Sequence, residues 1–142
     1  MNFSTDFINK LRDSGLRPTK QRLKICEVLF NTEKTFHFTI NDLVKIINEK
    51  LSEKISLATV YNTVHAFKKK GYLKEISINS DKSYFDTNTS VHHHFYDEDT
   101  NELIDCDEKT IDTVNVKNNI TGKKINSVEV LIKVASDTQN QN

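Results

Sequence analysis

A chain of 142 residues, 36% apolar and with a mean hydropathy of −0.57, fits one ordinary domain or two small ones sharing an interface. No apolar run approaches the roughly 20 residues of a membrane helix, and MNFSTDFINKLRDSG has no apolar segment with a small-residue cleavage site, so neither a membrane span nor a secretory signal is expected, no membrane partner is expected, and the cytoplasm is the expected compartment. Net charge is zero, yet residues 1–87 carry 15 Lys+Arg against 10 Asp+Glu and residues 88–142 carry 5 against 10, a basic half suited to a polyanion and an acidic half with another task.

In chain order, Ser4 is the expected N-cap of a first helix with Phe7, Ile8 and Leu11 on one face and Gly15 as its stop. Pro18 suits the first turn of a second helix carrying Leu23, Cys26, Leu29 and Phe30. Thr39 with Asp42 three residues on predicts a capped third helix through Leu43, Ile46 and Ile47. Ser56 caps a fourth, SLATVYNTVHAFKKKG, which Gly71 ends. The period then changes to two, and YLKEISINSDKSYFDT reads as two strands around the turn Asn79-Ser80-Asp81-Lys82. Helices followed by a hairpin are the order of a winged helix-turn-helix. The second half offers HHHFY, ELIDC and SVEVLIKVA as strands, with a polar stretch between the last two whose structure stays open and a βαβ-like dimer module as the expected arrangement. The fold class is therefore α+β: a winged-helix DNA-binding domain over 1–86, a small α/β dimerisation and sensing domain over 87–135, and a disordered tail over 136–142.

On a helical wheel, Leu57, Val60, Val64 and Phe67 share the core face of the fourth helix. The opposite face shows Ala58, Thr59, Asn62, His65, Ala66 and Lys69, with Tyr61 on its flank. Small residues approach bases closely and Asn pairs with adenine, so this face suits a major groove. Lys68, Lys69 and Lys70, with Arg17, Lys20, Arg22 and Lys24, suit phosphates. A solvated face with a basic end favourable to the helix dipole is the bland alternative; the hairpin and the basic half weigh against it.

The stretch SVHHHFYDEDTNELIDC carries the other chemistry. In a strand His92 and His94 share a face and His93 points away, with side chains about 7 Å apart by strand rise. Asp86, Asp105 and His37 flank them as further ligands. Imidazole nitrogens and carboxylate oxygens without thiolate suit Fe(II), Mn(II) or Zn(II). Asp97, Glu98, Asp99 and Glu102 read as a solvated loop. Cys26 and Cys106 are the two cysteines, and no CxxC pair occurs, which excludes a four-cysteine structural zinc within one chain. No HExxH helix or positioned general base is present, so an enzyme is not expected.

With SGLRPTKQRLKIC, SLATVYNTVHAFKKKGYL, FDT and HHHF…LID in this order, the chain resembles the ferric uptake regulator (Fur) family over nearly its whole length, and within it the iron response regulator (Irr) branch most. The resemblance implies a homodimeric regulator of transcription on double-stranded, two-fold DNA. It places His37, Asp86, His92, His94 and Asp105 on the family's inter-domain metal site, and associates His92, His93 and His94 with haem, free or brought by a delivering protein. It also assigns Arg17 to the minor groove and Tyr61 to the recognition helix, so that Arg17, Lys20, Ser56, Thr59, Tyr61, Asn62 and Lys69 are the expected DNA-contacting set. Asn62 stands where many relatives have arginine. The C-terminal CxxC pairs and a Cys-Pro haem motif are missing, and the second metal site is replaced at Asn126 or Glu129, which leaves one sensory site per subunit. Loss of DNA binding on haem is the expectation; peroxide sensing through Fe(II) at the same site is the alternative.

Overall fold

The computed structural model describes residues 5–50, 52 and 54–138. They fall into two compact units, the first ending at Thr89 and the second beginning at Ser90. The Ser4 cap and the last four residues of the tail lie outside the described residues.

The first unit is built from α1 (Thr5–Asp13), α2 (Lys20–Phe30), β1 (His37–Phe38), α3 (Ile40–Lys50), α4 (Leu57–Lys70), β2 (Lys74–Ser77) and β3 (Ser83–Asp86). Its helices begin where side chains replace missing backbone partners. Thr19 Oγ1 accepts the Arg22 N–H at 3.3 Å at the start of α2. Thr39 and Asp42 exchange side-chain bonds with each other's N–H at 3.1 and 3.3 Å before α3, a capping box. Ser56 Oγ takes the Thr59 N–H at 3.2 Å at the head of α4. Gly71 closes α4 at φ +88°, a left-handed conformation that costs a residue with a Cβ about 1 kcal/mol or more.

All of α1, α2 and α3 contact α4, and the core between them is Leu11, Ile25, Leu29, Leu43, Ile47, Val60, Val64 and Phe67, all at most 1% exposed. Leu57, expected on that core face, is instead 52% exposed. The reason is local. Ile55, just before the Ser56 cap, is buried in the same core as the helix's fourth residue, Val60, the two positions that a hydrophobic staple joins, and takes the buried place that the wheel gave to Leu57. Sheet order is β1-β3-β2, all antiparallel, with His37 and Lys74 each opposite Asp86. The hairpin turns where Ile78 N–H meets Lys82 C=O at 2.9 Å and Asp81 N–H meets Asn79 Oδ1 at 2.9 Å.

The second unit is a sheet of β4 (His94–Asp97), β5 (Glu102–Asp105) and β6 (Leu131–Val134) in the order β5-β4-β6, antiparallel on one side and parallel on the other. The β4–β5 turn is held by Asp97, whose Oδ1 accepts the Asp99 and Thr100 N–H groups, and by Asn101 at φ +60°. Asp99 in turn binds the Ser136 N–H and hydroxyl beyond β6. The parallel crossover over 106–130 contains turns but, among the described residues, no helix, so the βαβ-like connection is not formed. Its IDTVNVKNNITG is rich in β-branched residues and Asn, which lose the most in a helix after Gly and Pro.

Candidate functional site

Two of the expected ligands meet in the first unit and three in the second. In the first, pairing of β1 with β3 sets His37 opposite Asp86, and directly opposed residues share a face of the sheet. Asp86 is 1% exposed, and its Oδ1 accepts the Asn88 N–H at 2.8 Å.

In the second unit the strand begins at His94, two residues later than HHHFY suggests, and this brings the histidines closer than strand rise allows. Their ring centroids are 4.3 Å apart. His92 Nε2 lies 3.4 Å and His94 Nε2 3.1 Å from Asp105 Oδ1, the β5 residue paired with His94. His92 Nδ1 is 2.7 Å from the Ser90 carbonyl, which can only accept, so Nδ1 carries a proton and Nε2 is the lone-pair atom of the neutral ring. A lone pair aimed at a carboxylate oxygen is repulsive unless a cation, proton or metal, stands between them. The ligand atoms of His92, His94 and Asp105 all lie within 4.8 Å of one another, and with Nδ1–H anchored on a backbone carbonyl His92 has the outer hydrogen bond usual for a metal-binding histidine. The chemistry of this donor set fits a divalent cation.

His93 is turned away and has another role. Its Nδ1 accepts the Val130 N–H at 2.8 Å and its carbonyl accepts the Cys106 N–H at 2.9 Å, tying the entry of β6 and the exit of β5 to the strand start. The Cys106 thiol is held above its ordinary pKa by burial and by the neighbouring Asp105 charge.

The residues expected to face DNA sit around α2 and α4. Arg17, Thr19, Lys20, Gln21, Arg22 and Thr59 line one shallow concavity. Tyr61, Asn62 and Lys69 are exposed, whereas the Ser56 hydroxyl is occupied with capping. Three details escaped the sequence. Arg22, expected on phosphate, donates through Nη1 to the Arg17 carbonyl at 3.0 Å and so braces the loop that presents Arg17. His65, expected to point outward, packs in a tilted arrangement against Tyr61 with centroids 4.1 Å apart and meets Phe85 edge-on at 5.4 Å. In the lysine run, Lys68 pairs with Glu75 at 3.0 Å and Lys70 with Asp13 at 3.5 Å, which leaves Lys69, among the described residues, as the one without a carboxylate partner. An aromatic four residues from Tyr61 was the readable signal for this ring contact; nothing in KKK distinguishes its members.

A profile of the ferric uptake regulator family matches residues 13–134. The chain belongs to the ferric uptake regulator family. Members of this Fur family are transcriptional regulators, not enzymes; they bind DNA as dimers and bind divalent metals. This Fur-family chain is 33% identical over 119 residues to the peroxide operon regulator of Bacillus subtilis (strain 168), covering 83% of this chain and 80% of that one. It is likewise 33% identical over 107 residues to the peroxide-responsive repressor PerR of Staphylococcus epidermidis, covering 75% and 69%. Among solved structures, the Vibrio cholerae ferric uptake regulator superposes with a TM-score of 0.66 at 25% identity, over 91% of this chain and 98% of that one. The manganese-containing regulator from Pseudomonas aeruginosa superposes at 0.62 with 22% identity, over 92% and 97%. Among the described residues no helix of this Fur-family chain is long and apolar enough to cross a membrane.

Proposed function

We propose that this chain is a metal-responsive DNA-binding regulator in which His92, His94 and Asp105 hold a divalent cation, His37 and Asp86 complete the site, and occupancy sets the affinity for a two-fold operator. The observation that carries the reading is the pair of imidazole Nε2 atoms converging on one Asp105 oxygen. A bound cation supplies the positive charge that this convergence requires. In a dimer, occupancy of the site would adjust the spacing of two α4 helices to half-sites about 34 Å apart. Arg17, Lys20 and Lys69 meet phosphates, while Thr59, Tyr61 and Asn62 present base-reading groups beyond the Ser56 cap.

The test is a DNA titration at fixed salt, with Mn(II) or with a chelator, for wild type and His92→Ala. Metal-dependent binding that His92→Ala abolishes supports the reading. Equal binding in all four conditions sinks it.

The peroxide-regulator relatives favour a second reading of the same site. With Fe(II) present, peroxide would transfer one oxygen atom to the ring of His37 or His92 and leave as water, impairing that ligand. A tryptic digest of the iron form after peroxide treatment decides: no gain of one oxygen on either histidine peptide removes it. The iron-status reading through haem at His92, His93 and His94 has less behind it, since His93 is bound to the Val130 N–H. Stepwise haem in the same titration tests it, with haem-weakened binding as the supporting outcome.

A further inference from the structure

The register of the wing sheet places a third residue in the row of His37 and Asp86. Lys74 on β2 is the Cα partner of Asp86 on β3, as His37 on β1 is from the other side. Directly opposed residues of antiparallel strands project from one face, so a carboxylate that is 1% exposed is flanked by an imidazole and an ammonium. A buried carboxylate requires a compensating charge. The Asn88 N–H supplies a dipole. Lys74 is the cation in the row. Burial pulls the pKa of its ammonium below the ordinary value, while the charge of Asp86 acts in the opposite direction.

We propose that Lys74 is the resident counter-cation of Asp86, holding the carboxylate when no metal is bound and giving it up when a divalent cation takes it. The inference rests on the metal reading above and adds a tuning residue to it. A divalent cation on Asp86 brings its own positive charge, so an ammonium that stays in the row is surplus and opposes the metal. The fold gives Lys74 a way out: β2 is an edge strand of the β1-β3-β2 sheet, and a four-carbon stem can carry the ammonium to water. Lys74 therefore sets the concentration at which the site fills, and keeps the wing intact below it.

The signature is a pair of shifts with opposite signs. In full-length Lys74→Gln, Mn(II) affinity measured by competition with a chromophoric chelator rises by about tenfold, while the unfolding midpoint in chelator falls. Lys74→Arg, which retains the charge, stays near wild type in both. A side chain that merely packs would lower the midpoint with and without Mn(II) and leave affinity unchanged, and that result overturns the inference. Asp86→Asn separates the two layers. If Asp86→Asn binds Mn(II) as tightly as wild type, the ligand role of Asp86 falls and the Lys74 role with it. If Asp86→Asn weakens binding while Lys74→Gln does not tighten it, the inference alone fails.

Discussion

The three histidines of one triplet divide into two jobs, and the division is visible in what each ring nitrogen touches. His92 and His94 aim Nε2 at Asp105, whereas His93 Nδ1 receives the Val130 N–H. His94→Ala and His92→Ala are each expected to weaken Mn(II) binding by about tenfold to a hundredfold, the scale on which a metal site responds to disturbance of its ligand shell. His93→Ala is expected to leave Mn(II) affinity within about twofold while lowering stability by about 1 kcal/mol through the lost Val130 bond. Chelator competition and urea unfolding on the three variants check this; a loss of affinity in His93→Ala equal to the others would refute the division. The thiols divide as well. Burial pushes Cys26 up to about 12, and it is fully enclosed in the helical core. Since the thiolate is the nucleophile, iodoacetamide at neutral pH is expected to modify no more than one of the two cysteines in the folded chain, with mass spectrometry locating any label at Cys106. Label on native Cys26 would contradict the packing of α2.

At the scale of elements, what was legible followed the locality of the signal. Caps and stops are short-range: Thr39 with Asp42, Ser56 before LATV, Gly71 after KKK and the Asn79–Lys82 turn all read directly because each acts on backbone within a few residues. Misreadings arose where a tertiary neighbour decided. His65 was drawn toward Phe85 of β3, and the strand start moved to His94, whose backbone N–H binds Val130 C=O just before β6, far along the chain. The candidate ligand set was legible as residue types in order. Its convergence on Asp105 was not, because that depends on the β4–β5 register. The lysine run at the end of α4 shows the same limit. Lys68 and Lys70 pair with Glu75 and Asp13, so Lys69 is the proposed phosphate contact. Lys69→Ala is expected to weaken operator binding and to reduce the slope of log K against log salt by about 1, with Lys68→Ala and Lys70→Ala changing it less. A titration over several salt concentrations measures all three slopes, and equal slopes would show that the ion pairs open on DNA.

At the scale of the whole molecule, the second unit is too small to complete its own core. It buries Tyr96 and Leu103, yet leaves Ile104, Val114, Val116, Ile120 and Ile125 exposed, Ile120 at 72%. Apolar surface is worth about 25 cal/mol per Å² when removed from water, so these residues favour a covering surface, and a family of dimeric regulators supplies one in a second copy of the chain. Dimerisation and operator affinity are then linked: a monomer presents one α4 to one half-site, while a dimer engages two with the second contact made at high effective concentration. Ile120→Asp places a charge on the most exposed of these side chains. In a free surface loop it would be silent, changing stability by less than about 0.5 kcal/mol. In a covered surface it carries the cost of burying a charge, and the variant is expected to sediment as a monomer at concentrations where wild type is a dimer, with operator binding weakened by about tenfold or more. Binding to a single half-site should be unchanged, because nothing in α4 is altered. Wild-type sedimentation of Ile120→Asp would place the dimer contact elsewhere, on the exposed edge residues Ile104 and Val134.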